Sequence, residues 1–217
     1  MDFVTARHKM MDNQILTNRV TDPRVSEALA STPREVFLPR QMRGFAYVDE
    51  DVAIGGGRFL IEPLVLARLL QKVGIGKTDV VLTIGDATGW ASAVVSKIAS
   101  TVVSLECEPE MVSRSTATLS EQGVDNVAVV HGDLAAGFPA QAPYDAIVFI
   151  GAVAEIPAAI IRQLADGGRL IAVVDDGNGI GRGVLVVRAG DSFGRNTLFD
   201  AQTPHLPGFA PKPKFVF

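Results

Sequence analysis

Gly85 and Gly89 bracket the stretch of this chain best placed to do chemistry. Residues 80–90 read Val-Val-Leu-Thr-Ile-Gly-Asp-Ala-Thr-Gly-Trp. Five apolar or β-branched residues run into the first glycine, and the apolar-periodic segment 91–98 follows the second almost at once. The pattern predicts a short buried strand that turns sharply into a helix. Glycines at such a turn let the backbone approach a ligand closely, and the unpaired N–H groups of a helix start favour a negative group. Glu106 closes the next apolar run, 21 residues beyond Gly85. A spacing near 20 separates a Gly-rich turn from the acid that binds ribose hydroxyls. The glycines alone would fit an ordinary strand–turn–helix with no ligand. The acid at this distance favours a nucleoside-containing ligand.

The elements that must position these residues alternate. Strands are expected at 80–84, 102–106, 126–130, 145–151, 169–174 and 183–189, with helices near 89–99, 109–121 and 157–166. The runs at 126–130 and 146–150 are nearly continuous β-formers, which suits strands covered on both faces. Strand–helix alternation implies an α/β fold with a doubly wound, mostly parallel sheet and right-handed crossovers. Ligands of such sheets bind outside the carboxyl ends of the strands, which puts Gly85, Glu106, Asp133 and Gly151 along one rim. Before this core, residues 1 to about 20 read as a helix with Met10, Met11, Ile15 and Val20 as its apolar stripe. Asp22-Pro23 breaks the chain and starts a short helix over 24–30. Gly55-Gly56-Gly57 marks a loop, and a helix runs from Pro63 to about Val73, ended by Gly74. Beyond residue 175, Asp175-Asp176-Gly177-Asn178-Gly179 reads as the turn of a terminal hairpin. Residues 206–217 are too rich in proline for an assignment.

Composition bounds the function. A chain of 217 residues with 47% hydrophobic content and a mean hydropathy of +0.26 is globular rather than disordered. The net charge of −4, with basic residues paired only at Lys212 and Lys214, argues against a nucleic-acid surface. The single cysteine, Cys107, excludes an internal disulfide, fits a reducing compartment, and reads as buried rather than nucleophilic. With no leader segment and no bilayer-length apolar run, the expectation is a soluble cytoplasmic protein without a membrane partner. The sequence carries no signal for an oligomer, so a monomer is the default. His8, His131 and His205 are scattered, so no metal site is expected, and His131 reads as a structural or pocket-edge residue. Residues 85–90 lack the third glycine of the dinucleotide fingerprint, which weighs against a nicotinamide dehydrogenase.

Several short pieces carry a resemblance through their order and spacing. They are Arg24-Val25, Pro33-Arg34-Glu35-Val36-Phe37, Ala46-Tyr47-x-Asp49, Ile54-Gly55-x-Gly57, Pro63, Ile84-Gly85 and Glu106. Gly132-Asp133, Pro143-Tyr144-Asp145-Ala146-Ile147, Ile156-Pro157 and Leu164-x-x-Gly167-Gly168 continue the series. Up to about residue 175 the chain resembles the protein-L-isoaspartate O-methyltransferases, a family of class I S-adenosylmethionine-dependent enzymes with a Rossmann-like fold. The resemblance implies one domain over residues 1–217. An N-terminal helical cap and acceptor loop span 1–60, the cofactor-binding core spans 61–175, and C-terminal strands including a hairpin span 176–217. It implies S-adenosylmethionine as cosubstrate and S-adenosylhomocysteine as product. Gly85, Asp86, Ala87, Thr88 and Gly89 would face the methionine part. Glu106 would accept from the ribose hydroxyls, and Asp133 would contact the adenine amino group. Both roles suit ionised carboxylates, which only accept hydrogen bonds. Tyr47, Asp49, Gly57, Arg58, Phe59 and Leu60 would form the acceptor loop.

Departures from the family pattern fall in the two loops that matter. The family's loop usually reads Gly-Gln-Thr-Ile-Ser-Gln-Pro, where this chain has Gly57-Arg58-Phe59-Leu60-Ile61-Glu62-Pro63. Ile61 takes the catalytic position of a serine close to the methyl-accepting carboxylate and has no hydrogen-bonding group. Thr83 stands where an acid is usual, Asp86 where a small neutral residue is usual, and Ala87 where glycine is usual. Ala87 would be strained if its φ were positive. Asp86 could pair with the cosubstrate's ammonium or repel its carboxylate. Two readings follow. In one, the chain is a methyltransferase acting on the carboxylate of isoaspartyl residues in damaged proteins, by a direct displacement that needs alignment more than acid–base groups. In the other, it is a member with lost or altered activity, a cosubstrate-binding module or a transferase for another acceptor.

Overall fold

The structure is a computed structural model and describes residues 2–211. The tail lysines Lys212 and Lys214 lie outside the described residues. Asp2 opens helix α1 (Phe3–Met10) by accepting from the backbone N–H groups of Val4 and Thr5 at 3.1 and 3.2 Å. The helix widens into a π-type turn over Met11–Ile15 and tightens over Leu16–Asn18, ending at Arg19 with φ +61°. Met10, Met11, Ile15 and Val20 are all buried, as their spacing predicts. Helix α2 (Pro23–Ser31) has Pro23 in its first turn and Asp22 accepting from the Arg24 N–H at 2.9 Å.

The expected glycine loop is the tip of a hairpin, strand β1 (Val52–Gly55) paired antiparallel with β2 (Arg58–Leu60). Gly55, Gly56 and Gly57 all have positive φ, so the tip can reverse in a few residues. Helix α3 (Pro63–Val73) begins on its proline and ends on Gly74 at φ +64°, as expected.

The core alternates β3 (Val80–Ile84), α4 (Trp90–Ser96), β4 (Thr101–Glu106), α5 (Pro109–Glu121), β5 (Val127–His131), β6 (Tyr144–Val153), α6 (Ala158–Ile161) and β7 (Leu164–Val174). Two further strands, β8 (Arg182–Ala189) and β9 (Ser192–Asp200), complete a seven-stranded sheet ordered β5-β4-β3-β6-β7-β8-β9. Pairings from β5 to β7 are parallel, while β8 and β9 add antiparallel. One apolar layer, with α3, α4 and the N-terminal helices, packs on one face, and a second, with Tyr144, Ile160, Leu206 and Phe209, packs on the other.

Two expectations change. The helix over 157–166 is a single turn, Ala158–Ile161, because the chain is already paired from Leu164, opposite Tyr144. Between the pairs Tyr144–Leu164 and Ala146–Arg169 the register shifts, and Gly168 is packed there against the Ala165 and Tyr144 carbonyls. Strand β9 was not foreseen. Its residues are nearly all exposed, so its sequence lacks the buried face that marks a strand.

Candidate functional site

The rim predicted from the sequence forms. Gly85 follows β3 and donates to the Leu105 carbonyl at 2.9 Å. Glu106 ends β4 opposite His131, and Gly132 donates to the Glu106 carbonyl at 3.0 Å. Parallel register therefore brings Gly85, Glu106 and the Gly132-Asp133 turn to one edge of the sheet.

Glu106 is fully buried, and both its oxygens are occupied from within the chain. Arg58, itself 3% exposed, grips it with two prongs, Nη1 on Oε1 and Nη2 on Oε2, the latter at 2.7 Å. Nη2 also donates to the Gly85 carbonyl at 3.0 Å. The backbone N–H groups of Cys107 and Glu108 donate to Glu106 Oε1 at 2.8 and 3.1 Å. Burial alone would lower the Arg58 pKa, but the Glu106 carboxylate more than offsets it and raises it. Cys107 is half-buried, and burial together with Glu106 pushes its thiol up to about 11, so it is a poor nucleophile at neutral pH.

The place for a negative group expected at the α4 start is also taken by the chain itself. Asp86 is buried and accepts from the Gly89 and Ser92 N–H groups at 3.0 and 2.7 Å, and from the Ser92 hydroxyl at 2.8 Å. Thr88 Oγ1 adds a 3.2 Å bond to Asp86 and accepts from the Trp90 N–H. A carboxylate already fills the anion position, so these N–H groups are not open to a ligand. Burial raises the Asp86 pKa against these bonds. Thr83 Oγ1 lies 2.8 Å from Ser92 Oγ, so the usual strand acid is replaced by a hydroxyl joined to the Asp86 network. Ala87 is buried but unstrained, since Arg19 is the one non-glycine residue with positive φ among the described residues.

The acceptor-loop residues separate. Tyr47 turns into the N-terminal cap, its hydroxyl bonded to Glu35 and accepting from the Arg34 N–H at 3.3 Å. Asp49 and Gly57 are exposed, Phe59 is half-buried, and Leu60 and Ile61 are core residues. Asp133 is exposed and accepts from the Ala135 N–H at 2.9 Å. His131 is exposed, its Nε2 3.0 Å from the Cys107 carbonyl. Trp90 is wholly buried under the Arg34 guanidinium, 4.2 Å from its ring centre, and so faces the cap. Arg34 is also fully buried, and burial lowers its pKa to about 9, leaving it a cation at neutral pH.

The sequence reading missed a strap over residues 203–209. The Ala152 N–H donates to the Pro204 carbonyl, and the Leu206 N–H to the Ala152 carbonyl, both at 2.9 Å. The Ala154 N–H donates to the Phe209 carbonyl at 2.8 Å, and the Phe209 ring meets Phe149 edge-on at 5.7 Å. Leu206 lies against the rim glycines: a Cβ on Gly85 or Gly151 would stand 2.5 or 2.7 Å from its Cδ2. The space between strap, hairpin and rim is about 10 Å³, lined by Arg58, Ile61, Gly85, Gly151 and Leu206 among others. That is room for about one water, against the 300–1,000 Å³ of ordinary ligand sites. A larger hollow of about 730 Å³ lies by Pro157, Asp176 and Phe209 and is lined by none of the rim residues. Among the described residues no group of three or more His, Cys, Asp or Glu is placed to hold a metal ion.

Comparison with known proteins places this architecture. Residues 5–194 match the family model described as protein-L-isoaspartate(D-aspartate) O-methyltransferase. The chain belongs to this family. A protein-L-isoaspartate O-methyltransferase of Roseiflexus castenholzii is 36% identical over 212 residues, 96% of this chain and 94% of that protein. Protein-L-isoaspartate O-methyltransferase 2 of an Anaeromyxobacter strain is 40% identical over 167 residues, 77% of this chain and 69% of that protein. A solved protein-L-isoaspartate O-methyltransferase superposes with a TM-score of 0.81 at 25% identity, covering 94% of this chain and 67% of that one. A second, from Plasmodium falciparum and solved with S-adenosyl-L-homocysteine, gives 0.78 at 18% identity, covering 92% and 97%, and shares the fold. The family's enzymes are carboxyl O-methyltransferases that use S-adenosylmethionine and act on isoaspartyl residues of proteins. No helix among the described residues is long and apolar enough to cross a membrane.

Proposed function

We propose that this chain transfers a methyl group from S-adenosylmethionine to the carboxylate of isoaspartyl residues in damaged proteins, and does so slowly as it stands. The observation that carries the reading is family membership across residues 5–194, with Glu106 and the Gly132-Asp133 turn at the ends of adjacent parallel strands. Glu106 is the candidate ribose acceptor and Asp133 the candidate adenine contact. The setting is a soluble monomer in the cytoplasm that takes protein substrates and has no nucleic-acid or membrane partner. We also read residues 1–217 as one functional domain.

In the present arrangement the rim is closed to the cosubstrate. Arg58 engages both oxygens of Glu106, Asp86 fills the helix start, and the cavity holds about 10 Å³. The acceptor side is altered too. Ile61, at the position of the family's serine, is 2% exposed and gives the acceptor carboxylate no hydrogen bond. Loss of one hydrogen bond to a charged group removes roughly 1.5–3 kcal/mol. One observation, the self-occupied Glu106, favours the second reading, a member that kept the fold and lost the transfer.

The test is transfer of labelled methyl to an isoaspartyl peptide, with the aspartyl peptide as control. Slow, isoaspartyl-selective transfer is expected. Ile61→Ser alone buries an unpaired hydroxyl and is expected to cost about 1–3 kcal/mol of stability. Combined with Arg58→Gln, it is expected to raise the transfer rate. No transfer by wild type, Arg58→Gln or the double variant would move the chain to the second reading.

A further inference from the structure

Arg58 occupies Glu106 as a ligand would. Its two guanidinium prongs meet both carboxylate oxygens, and the second prong also reaches the Gly85 carbonyl. The Cys107 and Glu108 N–H groups also donate to Oε1, so Arg58 is the one partner of Oε2 among the described residues. A ribose presents a pair of O–H donors to a carboxylate, and the Arg58 fork already engages both oxygens that such a pair would use. Leu206 fills the neighbouring space, with its methyl groups against the two glycines whose missing side chains would otherwise leave it open. Arg58 and Leu206 come from segments 148 residues apart and close one 10 Å³ space together.

The backbone of β4 does not depend on Arg58. The sheet pairing of β4 runs through backbone groups, and the end of β4 is already held by the Cys107 and Glu108 N–H groups on Glu106. Arg58 instead rides beside the hairpin tip, where Gly55, Gly56 and Gly57 have no atom within 4 Å of their Cβ positions. Open space around the tip leaves room for this residue to leave the site. A guanidinium can also find water outside, whereas Glu106, buried at the strand end, would be left uncompensated until something replaced the arginine.

We propose that Arg58 is an intramolecular competitor for the cosubstrate, holding the ribose-binding carboxylate Glu106 while Leu206 seals the space beside it, so that S-adenosylmethionine enters only when both give way. This rests on the proposed function, since it takes Glu106 as the ribose acceptor. The competitor lowers affinity by the equilibrium between shut and open states, because a ligand that must first displace a tight contact binds with only the open fraction of the protein.

Titration calorimetry with S-adenosylhomocysteine separates the possibilities. Wild type is expected to bind weakly. Arg58→Gln is neutral and shorter, and is expected to bind at least tenfold more tightly. Leu206→Ala is expected to give a smaller gain, and the double variant the largest. Without ligand, Arg58→Gln should melt below wild type, because Glu106 loses its partner. S-adenosylhomocysteine should raise its Tm more than it raises that of wild type, which a merely structural arginine would not do. Should Arg58→Gln fail to fold, Arg58→Lys keeps a cation without the fork and is expected to bind with intermediate affinity. Wild type and Arg58→Gln agreeing within twofold, both with measurable binding, would overturn the competitor and leave the proposed function standing. Folded wild type, Arg58→Gln and double variant all silent at millimolar ligand would overturn the competitor and the cosubstrate assignment together.

Discussion

Arginine and glutamine at position 58 pose different problems for Glu106. A glutamine could share the carboxylate with a ribose, but a two-pronged guanidinium engages both its oxygens at once. The same loop carries a second consequence of charge at Glu62. Burial, then the nearby Asp49 and Asp51 carboxylates, push its pKa up to about 7. Burial also raises Asp51, which accepts from the Glu62 N–H and the Thr203 hydroxyl, each at 2.9 Å. A carboxyl group raised in the folded state binds its proton more tightly there than in the unfolded chain. Its stabilisation is therefore full at low pH, below the unfolded value, and is lost as pH rises through about 7. Folding stability is expected to fall by about 1–2 kcal/mol between pH 4.5 and 7.5 on account of Glu62, after allowance for solvent screening at a half-buried site. Urea unfolding of wild type and Glu62→Gln across that range checks it. The variant should show a flatter profile, and parallel profiles would contradict the assignment.

Helix α4 and the turn before it act as one unit. Asp86 accepts from two buried N–H groups, those of Gly89 and Ser92, and from the hydroxyls of Thr88 and Ser92. Asp86→Ala is expected to destabilise the fold by roughly 2–4 kcal/mol, measured by urea unfolding, through several orphaned donors at once. A loss below about 0.5 kcal/mol would mean that water replaces the carboxylate freely. This turn also shows how far the sequence could be read. Strand, glycine turn, helix and the rim position of Glu106 follow from β-former runs, from glycine φ and from parallel register. The inward turn of Asp86 does not follow, because a carboxylate beside a helix start reads equally well as a cap or as a ligand contact. Helix 157–166 was misjudged because its apolar spacing serves a close strand pairing, which only the partner Tyr144 reveals. Strand β9 escaped notice for the opposite reason: an edge strand without a buried face has no period-two pattern.

Across the whole molecule, the sheet brings together residues that are close in register, and the site is then closed by segments remote in sequence. Arg58 was legible as a loop residue, but its pairing with Glu106 crosses 48 residues, and no local pattern encodes it. The strap is harder still. Leu206 follows a proline-containing stretch with no periodicity, and its place over Gly85 and Gly151 depends on backbone bonds to β6. The single sequence signal was the arginine itself, standing in place of the family's glutamine one loop away from a rim of carboxylates. The fold is thus that of the protein-L-isoaspartate O-methyltransferases, while the rim is held shut by the chain's own side chains. A crystal structure of the protein grown with saturating S-adenosylhomocysteine tests this most directly. The account predicts ribose hydroxyls on Glu106, with Arg58 withdrawn from the carboxylate and Leu206 moved off Gly85. S-adenosylhomocysteine bound while the Arg58–Glu106 pair and the Leu206 contact remain intact would contradict it.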